Sequence, residues 1–222
     1  MKLTIFAATG GIGRLALEQA AAAGHDVTAV ARNPGNLPAG AARVVTADLA
    51  SADPDLLRGA VAGADAVLSG LGPRGKADAG ITWRGTQAIV AAMQAAGTRR
   101  LVVVSAAPVG TVPSPGRPRP PRHDPGDGLL TRTVAYPVLK TLLRGVYTDL
   151  ARMEDVLRDS DLDWTSVRPP RLTDGPVTGR YRTALGRNLR HGLVISRADV
   201  ADCMLRVTGQ PETIGQTVGV AR

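Results

Sequence analysis

Short apolar stretches alternate with amphipathic stretches along most of the chain. The apolar stretches are rich in Val, Ile and Leu and lack an alternating polar face, which is typical of strands buried on both sides of a parallel sheet. The stretches between them carry apolar residues at helical spacing. This alternation predicts an α/β fold with right-handed crossovers between parallel strands.

The pattern also gives bounds for the elements. The predicted strands are residues 2–7, 26–31, 42–46, 65–69, 100–105 and 162–168. The predicted helices are residues 11–23, 53–61, 78–96 and 136–160, and a last helix that begins at 196–199. Asp53 precedes a first-turn proline, and Gly24, Gly63 and Gly97 stand where helices end. Ser196, with an acid three residues later, is a variant of the capping box.

The length of 222 residues suits one domain that needs no disulfide or metal to support its core. We predict a doubly wound, parallel-sheet Rossmann fold over residues 1–168. Pro169 and Pro170 end the sixth strand, and residues 169–222 are expected to form a small C-terminal lobe on the substrate side, folded against this core.

Residues 108–128 interrupt the pattern because they are rich in Pro, Gly and Arg and cannot hold regular structure. The segment follows the fifth strand, and ligands of doubly wound folds bind beyond the carboxyl ends of the strands. It is therefore either a lid beside the site or a disordered surface insertion.

A glycine cluster joins the first strand to the first helix in the sequence AATGGIGRLAL. Gly10 permits a sharp turn, and Gly13 permits the helix to pack close to the strand. The amides around Gly11 and Ile12 point outward from a helix N-terminus, which is a binding site for the pyrophosphate of a dinucleotide.

Three neighbours of the cluster bear on this prediction. Thr9 can add a hydroxyl donor to the pyrophosphate site. Ala7 replaces the first glycine of the G-x-x-G-x-x-G spacing, which narrows the turn without abolishing it. Arg14, at the start of the helix, is either a second phosphate ligand or a solvated side chain.

The second predicted strand ends at Arg32, where an NAD-preferring protein has an acid that binds the adenosine ribose. A guanidinium binds a 2′-phosphate bidentately, and positions 31 and 33 carry no acid that would repel it. Asp48, just past the third strand, can accept from the adenine amino group, or it caps the approach to the next helix. NADP is therefore the predicted cofactor.

The charge balance raises the question of nucleic acid. The chain has 27 Lys and Arg against 19 Asp and Glu, a net charge of +8. Apart from Arg117, Arg119 and Arg122, the arginines are dispersed, and aromatic residues make up only 3% of the chain, too few for base stacking. The favoured interpretation is a solvated basic surface, and no nucleic-acid partner is expected.

Other classes of site and partner lack support. Cys203 is the single cysteine, so no intrachain disulfide forms; it fits a cytoplasmic location and a core position in the last helix. His25, His123 and His191 lack metal-ligand spacing, and no metal site is expected. Glycines and charges break the first apolar run, so we expect no signal peptide, membrane span or membrane partner. Monomer and homodimer both remain open.

These motifs together resemble the atypical short-chain dehydrogenases of the NAD(P)H-binding, NmrA-like type, which include the biliverdin reductase B and flavin reductase group. The resemblance covers nearly the whole chain. Its marks are AATGGIGRLAL at 7–17, VTAVAR at 27–32, the pair at 48–49, LSGLGP at 68–73, LVVVSAAPVG at 101–110, the stretch from YTDLARMED to RLTDGP at 147–176 and ISRADVADCML at 195–205.

The resemblance implies a role for each matching position. The pyrophosphate is bound by Thr9, Gly10, Ile12 and Gly13. Arg32 binds the 2′-phosphate, and Asp48 with Leu49 flanks the adenine. The ribose is walled by Leu71 and Gly72, Ser105 faces the nicotinamide, and the backbone from Pro169 to Arg171 meets its carboxamide.

The candidates for a catalytic acid are less clear. Tyr136 and Lys140 have the spacing at which a cation on the same helix face lowers the pKa of a phenol. Pro137 lies between them, however, and alignment with the family places Tyr147 nearer the catalytic position. Ser105 is a further candidate because it stands at the carboxyl end of a central strand.

Three functions fit these features. The first is an NADPH-dependent oxidoreductase that transfers hydride to a small conjugated acceptor of the flavin, quinone or enone type. The second is a non-catalytic NADP-binding sensor of the NmrA kind. The third is epimerase or dehydratase chemistry on a nucleotide-linked sugar, which a working Tyr–Lys pair would favour.

Overall fold

The computed structural model describes residues 1–72 and 80–222. The strands are β1 Lys2–Phe6, β2 Asp26–Ala31, β3 Arg43–Thr46, β4 Ala66–Ser69, β5 Arg100–Val104, β6 Asp163–Arg168, β7 Arg171–Thr173, β8 Arg182–Leu185, β9 Val194–Ser196 and β10 Gln216–Ala221. The helices are α1 Gly11–Ala22, α2 Pro54–Val61, α3 Ile81–Ala96, α4 Tyr136–Leu142, α5 Arg144–Asp159 and α6 Arg197–Thr208. The predicted start of the third helix at Asp78, and Pro73 of the LSGLGP motif, lie outside the described residues.

Eight of the strands form one sheet in the order β3-β2-β1-β4-β5-β6-β10-β8. Neighbouring strands are parallel except for the antiparallel pair β10–β8 at one edge. The chain builds outward from β1 to β3 and then returns to place β4 on the other side of β1, which makes a topological switch point between β1 and β4. The predicted doubly wound Rossmann fold is confirmed, and β1 to β6 match the predicted strands to within one residue.

The sheet is covered on both faces. One face carries α1 and α6 over a core that includes Leu3 and Ile5, and the other carries α2, α3 and α5 over a core that includes Phe6 and Val30. Successive residues of β1 thus enter opposite cores, which is why the strand is apolar throughout. Within the described ranges, no helix is both long enough and apolar enough to cross a membrane.

The helix predicted over 136–160 is wrong as a single element. Leu143 has φ −110° and ψ 27°, so the backbone leaves the helical conformation there and α4 is separate from α5. The apolar pattern is buried only in the second half, where Leu150, Met153 and Leu157 enter the core. In the first half Leu142 remains 74% exposed.

The boundary expected at residue 168 does not separate the sheet from the rest of the chain. After it, α6 packs on α1 and β10 pairs with β6 in the main sheet. Outside the main sheet, β7 and β9 form a two-stranded parallel sheet. The C-terminal segment thus divides between the main layers and a smaller substructure.

The Pro-rich segment is packed against the molecule rather than free. The Ser114 hydroxyl donates to Asp155 at 2.9 Å, and Asp124 accepts from the Asn188 amide at 2.8 Å. The side chains of Ser114 and Asp124 are buried. The segment therefore lies against α5 and the connection between β8 and β9. It is not a disordered surface insertion.

Candidate functional site

A cleft opens beyond the carboxyl ends of β1 to β4, at the switch point of the sheet. It is lined by the last residues of β1 and β2, by the connections after β1 to β4 and by the first residue of α3: Phe6, Ala7, Thr9, Gly10, Val30, Ala31, Arg32, Asn33, Asn36, Ala47, Asp48, Leu49, Gly70, Leu71, Gly72 and Ile81. Parallel strands bring these separate connections to one edge, where ligands of such sheets bind.

The N-terminus of α1 begins beside this cleft, whose lining includes Thr9 and Gly10 but not Gly11, Ile12 or Gly13. The first hydrogen bond of the helix runs from the Arg14 amide to the Gly10 carbonyl at 2.9 Å, so the amides of Gly11, Ile12 and Gly13 precede it. Gly10 is the N-cap and supplies no side-chain acceptor, and the first turn carries no acid. The helix end therefore fits an anionic group such as a pyrophosphate.

Close packing explains two of the glycines beside the cleft. A Cβ on Gly13 would overlap the carbonyl oxygen of Ala7, and a Cβ on Gly70 would stand 2.8 Å from the Gly13 amide nitrogen. The turn after β1 and the turn after β4 can thus approach each other only without side chains at these positions. Ala7 itself adopts φ 55°, in the left-handed region that favours glycine. The tight turn predicted from the glycine spacing is therefore formed with alanine at its first position.

The connection after β2 supplies polar side chains. Arg32 lines the cleft together with Asn33 and Asn36, and Asp48 faces it from the end of β3. One oxygen of Asp48 accepts from the Ala50 amide at 3.1 Å in a local turn, and the cap of the next helix is Asp53, which accepts from the Asp55 amide. The other oxygen of Asp48 makes no hydrogen bond to the described residues, and so it remains able to accept from an adenine amino group.

Arg14 does not line the cleft. It is exposed and forms an ion pair with Glu18 one turn along α1, at 3.5 Å. This position fits the solvated alternative.

The structure does not bring Ser105 and Pro169 to the described lining of the cleft. The Ser105 hydroxyl is buried and donates to Glu154 at 2.9 Å. The Pro169 carbonyl accepts from the Ala107 amide at 2.9 Å. Both groups are thus engaged in holding β5 and β6 to their neighbours.

Tyr136 and Lys140 are not arranged as an activated pair. Lys140 donates to the carbonyl and hydroxyl of Thr111. Burial, with the nearby carboxylates of Asp127 and Asp124, raises the pKa of the Tyr136 phenol. That direction is opposite to the one that a catalytic phenol paired with a lysine requires.

Tyr147 lies in the apolar core between the sheet and α3, and burial raises its pKa as well. Neither tyrosine lines the cleft. The described residues therefore contain no tyrosine whose pKa is lowered for proton transfer.

Sequence reasoning missed several groups at or near the site. Asn33 and Asn36 lie in the polar turn after Arg32, and their position directly after a strand could have identified them. Arg197 packs its aliphatic stem 3.0 Å from where a Gly11 Cβ would stand and pairs with Asp174. No local sequence signal identifies Arg197 as a neighbour of the site, because an arginine in the first turn of a helix is an ordinary surface residue.

The cysteine and the histidine nearest the N-terminus do not lie in the cleft. Cys203 is in the core beneath α6, and burial raises the pKa of its thiol to about 12. The Nδ1 of His25 lies 3.3 Å from the N-terminal amine. Among the described residues, no group of three or more His, Cys, Asp or Glu is arranged to hold a metal ion.

The chain matches known proteins over most of its length. The model of the NAD(P)H-binding family matches residues 7–211. A curated relative, UPF0659 protein C216.03 from Schizosaccharomyces pombe, is 30% identical over 215 residues, which cover 91% of this chain and 83% of the relative.

Two solved structures share the fold over the whole chain. ChuY, an anaerobillin reductase from Escherichia coli O157:H7, is 23% identical with a TM-score of 0.74, covering 100% of this chain and 97% of its own. A short-chain dehydrogenase/reductase from Veillonella parvula in complex with NADP is 18% identical with a TM-score of 0.77, covering 100% and 94%. The chain therefore belongs to the NAD(P)H-binding family, in agreement with the resemblance of its motifs to the atypical short-chain dehydrogenases.

Proposed function

We propose that the protein is an NADPH-dependent oxidoreductase that reduces a small conjugated acceptor of the flavin, quinone or enone type. The observation that carries the proposal is the cleft, whose lining brings Thr9 and Gly10, at the uncapped N-terminus of α1, together with Arg32 and Asp48. The family match and the reductase activity in the name of ChuY support it. NADPH supplies the hydride when it is bound.

The residues of the chain bind and orient the cofactor. The amides of Gly11, Ile12 and Gly13 bind the pyrophosphate, and Thr9 stands beside them at the rim. Leu49, Leu71 and Gly72 form the apolar part of the wall, against which the adenosine packs.

Arg32 discriminates between the two pyridine dinucleotides. Its guanidinium binds a 2′-phosphate, and the adjacent lining residues Asn33 and Asn36 are uncharged donors that do not repel it. Asp48 accepts from the adenine amino group through its second carboxylate oxygen.

The proton for the acceptor comes from solvent, because neither Tyr136 nor Tyr147 lines the cleft. The described residues offer no Tyr–Lys pair in contact, which disfavours epimerase or dehydratase chemistry that depends on such a pair. An acceptor whose reduced form is protonated readily by water needs no such pair.

Arg32→Ala tests the cofactor assignment. Loss of a charge-assisted phosphate contact of about 1.5–3 kcal/mol is expected to weaken NADPH binding by roughly 10- to 100-fold, while NADH binding changes little. The measurement is calorimetric titration of both cofactors. Arg58→Ala, an exposed arginine that pairs with Asp55 on α2, is the control and should leave both affinities unchanged. Equal weakening of NADPH and NADH by Arg32→Ala would contradict the assignment.

The second candidate function is a non-catalytic NADP sensor, and the raised pKa of both tyrosines favours it. The two functions separate in one assay, in which NADPH absorbance is followed with a panel of flavins, quinones and enones. Turnover that is lost in Arg32→Ala supports the reductase. Tight NADPH binding without turnover across the panel supports the sensor instead.

A further inference from the structure

A second cavity, of about 200 Å³, lies on the α5 side of the sheet and shares no lining residue with the dinucleotide cleft. Its sheet side is formed by Trp164 of β6 and by Gln216 at the start of β10. The Pro-rich segment forms the outer wall, with residues 117, 121 and 123–125 in the lining. A packed loop, rather than a helix, therefore covers this part of the sheet.

Three guanidinium groups line the cavity, and two of them have carboxylate partners. Arg168 uses Nε and Nη2 to bind Glu154, and Arg158 binds Asp155 at 2.5 Å. The guanidinium of Arg117 makes no hydrogen bond or ion pair with any residue in the described ranges. Within that part of the chain, Arg117 thus has no carboxylate in direct contact, and Glu154 and Asp124 attract it from a greater distance.

Two of the three carboxylates that face this cluster have a donor on each oxygen. Glu154 accepts from Ser105 and Ser166 as well as from Arg168. Asp155 accepts from the Ser114 hydroxyl and the Gly116 amide, in addition to Arg158. Each oxygen of these acids therefore has a donor other than Arg117.

Asp124, the third acid at the cavity, accepts from the amides of Gly126 and Asn188 through Oδ1, and its Oδ2 lies 3.5 Å from where a Cβ on Gly110 would stand. Burial and the like charges of Arg158 and Arg168 lower the pKa of Arg117, and the attraction of Glu154 and Asp124 does not offset them. An anion beside Arg117 would favour its charged form, as Glu154 and Asp124 do.

A donor on Arg168 also faces the cavity. Its Nη1 makes no hydrogen bond to the described residues and lies 2.8 Å from where a Cβ on Gly110 would stand. Glycine at this position therefore keeps the space beside the Nη1 group open. His123 and Gln216 add polar side chains to the same wall.

We propose that this cavity binds a small oxyanion, such as a phosphate group, between the guanidinium of Arg117 and Nη1 of Arg168. Guanidinium N–H groups match the spacing of phosphate oxygens and hold them by charge-assisted hydrogen bonds. The space is sufficient for inorganic phosphate or for the phosphate of a small metabolite. The proposal is independent of the function assigned to the dinucleotide cleft.

Calorimetric titration with inorganic phosphate, at ionic strength matched with chloride, tests the proposal. Arg117→Gln is expected to weaken phosphate binding by about 10-fold or more, since it removes a charge-assisted contact of about 1.5–3 kcal/mol. Arg119→Gln is the matched control, because Arg119 is an exposed arginine of the same segment that does not line the cavity. The phosphate affinity of Arg119→Gln should stay within about twofold of the wild-type affinity.

Two further measurements complete the test. The first shows whether Arg117→Gln still folds, and the second shows whether phosphate binds in the second cavity or in the dinucleotide cleft. Arg117→Gln should unfold in urea at the wild-type midpoint, because the replaced side chain has no partner among the described residues. Arg32→Ala removes the phosphate ligand of the dinucleotide cleft and should leave the Arg117-dependent binding in place.

Glycerol phosphate, titrated in parallel, shows whether a phosphate ester enters the cavity. Arg117-dependent binding of either probe supports the site. Equal phosphate affinity in the wild type and Arg117→Gln, or no phosphate binding, would overturn it.

Discussion

Ala7 occupies a backbone conformation that an L-amino acid with a side chain adopts at a cost. Its φ of 55° lies in the left-handed region, and its carbonyl accepts from the Gly10 amide at 2.8 Å to close the turn after β1. The conformation costs about 1 kcal/mol relative to the right-handed region for a residue other than glycine. The conformation of Ala7, at the first position of the glycine spacing, therefore lowers the stability of the protein.

Ala7→Gly is expected to stabilise the protein by about 0.5 kcal/mol, because relief of the left-handed conformation exceeds the entropy that glycine adds to the unfolded chain. Urea unfolding measures the change. Ala22→Gly, at an exposed position in the last turn of α1, is the control and should destabilise by about 0.5–1 kcal/mol. If the two substitutions destabilise equally, Ala7 carries no strain.

The sequence predicted the position of some site residues correctly and not that of others. Arg32 and Asp48 were predicted at the cleft because each directly follows a strand, and the ends of parallel strands meet at one edge. Ser105 also follows a strand, yet its hydroxyl turns to Glu154, 49 positions later in the chain. The orientation of a side chain depends on such distant partners, which a local pattern does not contain.

Among the elements, α5 completes the N-terminus of α3. The N-cap of α3 is Gly80, which has no side chain to accept from the first amides. Instead, buried Asp149 of α5 accepts from the amides of Thr82 at 3.2 Å and Trp83 at 3.0 Å. One helix is thus capped by another, and their packing is fixed in register.

Asp149→Ala is expected to lower the free energy of unfolding by about 2 kcal/mol, since it removes a cap and leaves two amides without an acceptor. Asp149→Asn keeps one acceptor oxygen and should lose roughly half as much. The measurement is urea unfolding of the intact chain. Asp159→Ala, at an exposed position of the same helix, should change stability by less than about 0.5 kcal/mol, and a similar loss there would contradict the capping role.

The break between α4 and α5 shows that apolar spacing alone does not predict whether a long segment forms one helix or two. Apolar residues continue at helical spacing through Leu142 and Leu143, so the spacing predicts one helix. In the structure Lys140 of α4 binds Thr111, whereas α5 packs on the sheet and α3. The two halves of the segment have different tertiary partners, and the backbone departs from the helix between them.

Across the whole molecule, a buried ion pair links three elements. Glu154 of α5 accepts from Ser105 beyond β5 and from Arg168 of β6, and both charged side chains are at most 5% exposed. Burial alone would raise the pKa of Glu154, but the charge and hydrogen bonds of Arg168 outweigh it and hold that pKa below its usual value. Removing one partner would leave the other charge buried and unpaired.

Glu154→Gln is expected to destabilise the fold by about 3 kcal/mol at neutral pH. Because the folded-state pKa of Glu154 is lowered, its contribution is present above the unfolded-state value of about 4.3 and is lost as pH falls through the folded value. The difference in urea stability between wild type and variant should therefore shrink below about pH 4. Glu18→Gln, on the surface of α1, should show a small difference at every pH; a Glu154→Gln effect independent of pH would contradict the ionised pair.

The amino-acid sequence was enough to establish the order of β1 to β6 and of α1 to α3, the doubly wound sheet, the glycine-rich turn and the polar residues at the strand ends. These features follow from burial on both faces of a parallel sheet and from turns that only small residues allow, and both leave a periodic or local mark. Only the folded chain shows that β10 joins the main sheet, that Asp149 caps another helix, and that Glu154 takes the hydroxyl of Ser105. The fold also brings the Pro-rich segment over a cluster of arginines. These contacts join residues far apart in the chain, and their geometry depends on how whole elements pack.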